Sequence, residues 1–330
     1  MRSGSFFMLL AAAMACSSTN SSPSTDGGSM ADGADTGTPS DGGSIDGGDA
    51  GSVDAGDGGG ADGGLVAQRP YHFQAPSNYD PSKPTPLLVM LHGYSADGPT
   101  EEAYFQLGTL VDAKTILYAY PDGTKDPMGN RFWNADDACC DAYGIPVDDV
   151  AYVGAILDDV ESKYNVDRKR VWIVGHSNGA FMAHRLACDL SARVAAIVSL
   201  AGAVWNDPSK CNPTEHVAVL DVHGDADTVV SYTGGASLYP GGSPFPSEMV
   251  TMATWASKDA CSGSLADTGQ RLDLDSSLAG SETKVQTYGG CPAGLDVQLW
   301  TIQGGAHVPS LAQPTWPQQV YAFLSAHPKP

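Results

Sequence analysis

Six short apolar runs punctuate this chain: Leu87–Leu91, Thr115–Tyr120, Val171–Val174, Ala195–Leu200, Val217–Val222 and Val297–Ile302. Each meets a glycine within three residues of its end. Runs this short, without polar alternation, suit strands buried on both faces, as in a parallel sheet. Between them lie stretches of helical periodicity. Val150–Tyr164 repeats apolar residues at Val150, Val153, Ile156, Leu157 and Val160, with Asp148 and Asp149 at its start, where carboxylates favour the helix dipole. Ala180–Leu190, Ser247–Ala260 and Pro317–Ala326 read as further helices. The alternation predicts an α/β fold: a doubly wound, mostly parallel sheet with helices on both faces.

Not all 330 residues belong to that sheet. Residues 17–64 are almost wholly Gly, Ser, Asp, Ala and Thr and lack aromatics, so they cannot bury enough apolar surface to offset the entropy of ordering. They read as a disordered linker, and residues 65–330 as one globular domain long enough for a large core. Its Asp-Gly units lack the regular period of calcium-binding β-helices, so it reads as a flexible spacer. Residues 1–16 combine Arg2, an apolar run from Phe6 to Ala15, and Cys16. The run is too short to span a membrane and reads as a signal peptide. Small residues followed by cysteine resemble a bacterial lipoprotein signal, with Cys16 as the lipidated residue, although Ala13 stands where Leu is usual. The expectation is an exported protein held at the cell envelope by lipid on Cys16, with ordinary secretion as the alternative.

The formal net charge is -21. The linker contributes nine Asp and no base, while residues 65–330 hold 29 acids against 16 bases, so the domain is itself acidic. Such a surface is repelled by nucleic acid and anionic lipid, leaving the N-terminal lipid as the only expected membrane contact. Of seven cysteines, six lie in the domain. An even number in an exported chain reads as a disulfide set, with fifteen connectivities open.

Gly175-His176-Ser177-Asn178-Gly179 follows an apolar run and opens a helix. That strand–turn–helix setting is what a nucleophile elbow demands, since the tight turn lifts a serine hydroxyl above the sheet edge. A serine needs a base, and the base a partner that fixes its tautomer. In this setting the chain order is Ser, acid, His. His307 follows the last apolar run and precedes the last helix. Two acids compete after Val217–Val222: Asp227 is the choice, with Asp225 as a turn residue. The oxyanion needs preorganised donors, expected from the backbone N–H groups of Asn178 and Tyr94. This chemistry calls for no metal or cofactor.

These motifs fall in order with Leu91-His92-Gly93, Phe132-Trp133-Asn134, Cys139-Cys140, Val147-Asp148-Asp149-Val150 and His223-Gly224-x-x-Asp227. Together they resemble the polyhydroxybutyrate depolymerase and feruloyl/acetylxylan esterase group of the α/β-hydrolase superfamily, similar to carbohydrate esterase family one, over nearly all of Leu65–His327. The resemblance implies a serine ester hydrolase acting through an acyl-enzyme. It supports Asp227 over Asp225. It implies disulfides Cys188–Cys211 and Cys261–Cys291, which leaves Cys139 and Cys140 to pair with each other. Trp133, for its loop context, and His176 are the expected substrate contacts, with Trp205 and Trp316 as further candidates for ring stacking. Ala306 and Val308 depart from the group's pattern and bear on substrate preference. The expected substrate is a feruloyl or acetyl-type ester of plant polysaccharide or a small aryl or alkyl ester. A polyester such as polyhydroxybutyrate is the alternative. An acyltransferase and a non-catalytic surface binding protein are more distant readings.

Overall fold

The computed structural model describes residues 62–330. The expected signal peptide, its lipidated Cys16 and most of the expected linker lie outside the described residues. The linker reading ran to Gly64, whereas a helix, α1, occupies Asp62–Gln68. Leu65 and Val66 of α1 pack on the core, and that contact outweighs the local glycines.

The strands in chain order are β1 His72–Gln74, β2 Thr85–Leu91, β3 Leu117–Tyr120, β4 Thr124–Lys125, β5 Arg131–Phe132, β6 Val166–His176, β7 Ala196–Leu200, β8 Ala218–Gly224, β9 Leu265–Leu272, β10 Thr283–Tyr288 and β11 Val297–Ile302. The helices after α1 are α2 Gly98–Phe105, α3 Leu110–Lys114, α4 Asp149–Lys163, α5 Asn178–Asp189, α6 Glu248–Lys258 and α7 Thr315–Ala326. Nine strands form one sheet in the order β1-β3-β2-β6-β7-β8-β11-β10-β9. The six central strands, β3 to β11 in that order, are parallel and coincide with the six apolar runs. The three remaining strands are antiparallel edge additions. They escaped the sequence reading for a physical reason. β9 is exposed along almost its whole length, and β10 buries only alternate residues, so neither shows an unbroken apolar run.

Each face of the sheet carries its own core. Leu87, Val89 and Leu91 of β2 pack on one face with residues of α4, α5 and α6. Leu88 and Met90 point the other way, into a core shared with Phe105 of α2 and with Trp316, Val320 and Phe323 of α7. The two-residue period of a strand makes this partition automatic. The helices start where side chains cap them: Asp148 accepts from Ala151 N–H ahead of α4, and Ser247 from Val250 N–H ahead of α6. Three disulfides close the domain: Cys139–Cys140, Cys188–Cys211 and Cys261–Cys291. No helix among the described residues is long and apolar enough to cross a membrane.

Candidate active site

β6 ends at His176 and α5 begins at Asn178, so Ser177 alone makes the turn. Its φ of 53° lies in the left-handed region, a strained setting for a residue with a side chain. The turn can be this tight only because its neighbours lack side chains. A Cβ on Gly175 would collide with the Gly179 carbonyl, and one on Gly179 with the Leu91 carbonyl.

Three side chains from separate loops meet above this edge of the sheet. The Ser177 hydroxyl lies 2.9 Å from His307 Nε2, and His307 Nδ1 lies 2.7 Å from Asp227 Oδ2. The carboxylate requires the proton on Nδ1, which leaves Nε2 to accept from the serine. Asp227 is further held by Val229 and Val230 N–H groups, both donating to Oδ1, at 2.7 and 3.0 Å. Burial opposes its ionisation, but the hydrogen bonds from His223 and His307 win and hold its carboxyl well below the usual carboxylate range. Burial pulls His307 down, with the positive field of His176 adding to it against the pull of Asp227. Asp225 takes a different position: it is exposed and accepts from Gly304 N–H at 2.6 Å, shaping the turn that carries His307.

The two expected backbone donors are available. Among the described residues, neither Tyr94 N–H nor Asn178 N–H meets an acceptor. The loop after β2 is held by a buried carboxylate, Glu101 of α2, which accepts from Gly93 N–H at 3.0 Å. On the other side, the Asn178 side chain accepts from Trp133 N–H at 2.7 Å and donates to Trp133 O at 2.9 Å. Trp133 Nε1–H donates to His92 O at 3.0 Å. Trp133 therefore ties the β2 loop to the elbow.

That geometry corrects two expectations. Trp133 is wholly buried, with its ring 5.2 Å from the Arg69 guanidinium, and offers no face to a substrate. His176 is also buried: Nδ1 lies 3.1 Å from Glu101 Oε1, and Nε2 donates to the His307 carbonyl at 3.2 Å. It braces the His307 loop and, at 7% exposed, offers a substrate almost no surface. Trp316, on α7, is buried in the core on that helix's face of the sheet. Trp205 borders a cavity of about 370 Å³, shared with Asp136, Arg185 and Tyr239 and lined by none of Ser177, Asp227 and His307. Exposed apolar residues stand beside the site in sequence: Tyr94 in the loop after β2, Val229 two residues past Asp227 and Val308 next to His307. Sequence reasoning missed Glu101 because α2 has no apolar periodicity, and it set His223 aside although the His-Gly pair at the end of β8 marked the place. No group of three or more His, Cys, Asp or Glu able to hold a metal occurs among the described residues.

The sequence family described as Phospholipase/Carboxylesterase matches residues 78–241. Feruloyl esterase B of Piromyces equi is 28% identical over 246 residues, 73% of this chain and 43% of that protein. The bifunctional acetylxylan esterase/xylanase XynS20E of Neocallimastix patriciarum is 26% identical, over 78% of this chain and 33% of its own length. The chain thus spans less than half of these two relatives. Among solved structures, an acetyl xylan esterase from Aspergillus awamori superposes with a TM-score of 0.53 at 16% identity, covering 78% of this chain and 93% of that one, a likeness of fold. Sheet order, elbow and relatives agree on an α/β-hydrolase fold, and the chain is similar in sequence to feruloyl and acetylxylan esterases.

Proposed function

We propose that the protein is a serine carboxylic ester hydrolase working through an acyl-enzyme. The carrying observation is the continuous series Asp227–His307–Ser177, at 2.7 and 2.9 Å, beside two backbone N–H groups without acceptors. Ser177 Oγ attacks the ester carbonyl while His307 Nε2 takes the hydroxyl proton. The oxygen that gains charge is received by Tyr94 and Asn178 N–H. Asp227 keeps Nδ1 protonated and stabilises the imidazolium without taking its proton. The imidazolium then protonates the departing alcohol. Water, deprotonated by the same nitrogen, releases the acid and restores the serine.

The substrate reading follows from the relatives' names and from the mouth of the site: a feruloyl or acetyl ester of plant polysaccharide, or a small aryl or alkyl ester. Tyr94, Val229 and Val308 supply the apolar contact there, in place of Trp133 and His176. The three disulfides suit an oxidising compartment and therefore export. The test is release of p-nitrophenol from its acetate and butyrate esters, with methyl ferulate and acetylated xylan as second substrates. Ser177→Ala should lower turnover by roughly 10⁴-fold or more. Equal inertness of both proteins towards every one of these esters would refute the reading.

A further inference from the structure

Beneath the reacting residues lies a second polar layer that the mechanism above does not use. His223 is the penultimate residue of β8 and is wholly buried. Its Nε2 lies 3.1 Å from Asp227 Oδ2 and 2.8 Å from the Val230 carbonyl. Its Nδ1 lies 2.6 Å from Oε1 of Glu248, the buried first residue of α6. A carbonyl oxygen carries no proton, so the contact with Val230 requires Nε2 to be protonated. The same N–H therefore also points at Asp227. At 2.6 Å one proton must also lie between Nδ1 and Glu248, whichever of the two owns it. Asp227 Oδ2 thus accepts from two imidazoles, His307 above and His223 below, while its other oxygen is filled by two backbone N–H groups.

We infer that His223, held by Glu248, is a positioning residue for the reacting set, fixing the Asp227 carboxylate and limiting how strongly it draws a proton onto His307. The inference rests on the reading of Ser177, His307 and Asp227 given above. The physical basis is competition. A carboxylate oxygen that accepts a second hydrogen bond is a weaker base towards the first donor. With His223 in place, His307 stays basic enough to take the serine proton yet neutral near physiological pH. Without it, Asp227 turns its full charge on His307 and the imidazolium is over-stabilised. The charged and titratable groups around His223 come from every neighbouring element: Asp221 of β8, Asp227 and Tyr232 after it, and Glu248 of α6. His184 of α5 lies 3.2 Å from Asp221 and completes the layer.

The experiment uses the full protein and p-nitrophenyl acetate. His223→Phe removes both ring donors at similar volume, and His223→Gln restores one donor and one acceptor. For His223→Phe, the acid limb of kcat/KM should move up by about half to one pH unit. Its kcat should fall about tenfold with KM little changed, since Asp227 loses an anchor rather than the substrate a contact. His223→Gln should recover most of the pH shift. A purely structural histidine would lower the melting temperature without moving the pH limb, and that result overturns the inference. Imidazole ¹⁵N resonances of the unmodified protein give a test that needs no variant to fold. His223 Nε2 should remain protonated from about pH 5 to 9 while His307 titrates. An unprotonated Nε2 overturns the inference. An active wild type with an unmoved pH limb in both variants would sink this inference alone, whereas an inert wild type would sink the esterase reading beneath it.

Discussion

Asn178→Ala separates the two jobs that this residue combines. Its backbone N–H, which the proposed mechanism uses, survives the substitution. Its side chain does not, and that side chain makes two buried hydrogen bonds to one residue, with Trp133 N–H at 2.7 Å and Trp133 O at 2.9 Å. Alanine leaves the Trp133 N–H without a partner in a region closed to water, while Trp133 O keeps the Ala135 N–H at 2.9 Å. A buried polar group left unpaired costs about 1–3 kcal/mol and the lost bond at Trp133 O about 1 kcal/mol, so the change amounts to roughly 2–4 kcal/mol. For a domain of this size each kcal/mol lowers the melting temperature by about 2–4 °C, giving a drop on the order of 5–15 °C. The catalytic effect has a separate origin. Trp133 also holds the β2 loop through His92, so the spacing of the Tyr94 and Asn178 donors depends on it. Deleting one oxyanion donor costs about 10²–10³ in kcat, and displacing one should cost less, about 10–100-fold, with KM within about threefold. Thermal unfolding and p-nitrophenyl acetate kinetics on the same preparation read both quantities. A melting temperature within about 2 °C of wild type, together with unchanged kcat, would refute the clamp.

Arg69→Ala should destabilise by about 3–5 kcal/mol, because it strands the buried Asp149 carboxylate that Arg69 meets at 2.7 Å; an Asp149→Asn companion that recovers much of the loss in urea unfolding would show that the stranded charge is the cause. The rate should follow the neutral form of His307. Burial and the neighbouring positive His176 hold that histidine below its ordinary range, so the acid limb of kcat/KM should have its midpoint below about 6.5, and a midpoint above 7 would contradict the site's electrostatics. Burial opposes charge on both His176 and Glu101, yet their mutual attraction raises the imidazole and lowers the carboxyl. A raised histidine contributes stability that is fully present below about pH 6.5 and is lost as pH rises through its folded pKa. A depressed carboxyl contributes stability present above about pH 4.5 and lost as pH falls through its folded pKa. Glu101→Gln should therefore cost most stability between about pH 4.5 and 6.5, and urea midpoints that fall equally at pH 5.5 and pH 9 would discount the pair.

The sequence by itself determined the core of this fold and the places where chemistry could sit. Six short, largely apolar runs without regular alternation suit strands buried on both faces, and each glycine after them marks where the chain turns. The spacing of Gly175, Ser177 and Gly179 is legible for the same reason: a turn this tight admits no side chain beside the serine. His307 and Asp227 stand in loops that follow named strands; chain order pointed to His307 and left Asp225 and Asp227 competing, with the resemblance favouring Asp227, and it is Asp227 that meets His307. Edge strands, α2 and α1 were not legible, because half-burial and packing against distant residues leave no local period. Tertiary structure alone decided what becomes of the side chains. Trp133 stands in a polar loop, yet folding encloses it between Arg69, His92 and Asn178. In the sequence Glu101 and Glu248 look like surface residues, His223 like part of a turn motif and His176 like a substrate contact. They become buried partners because strands and helices far apart in the chain bring complementary groups within hydrogen-bond reach, and complementarity across such distances leaves no pattern in a linear string.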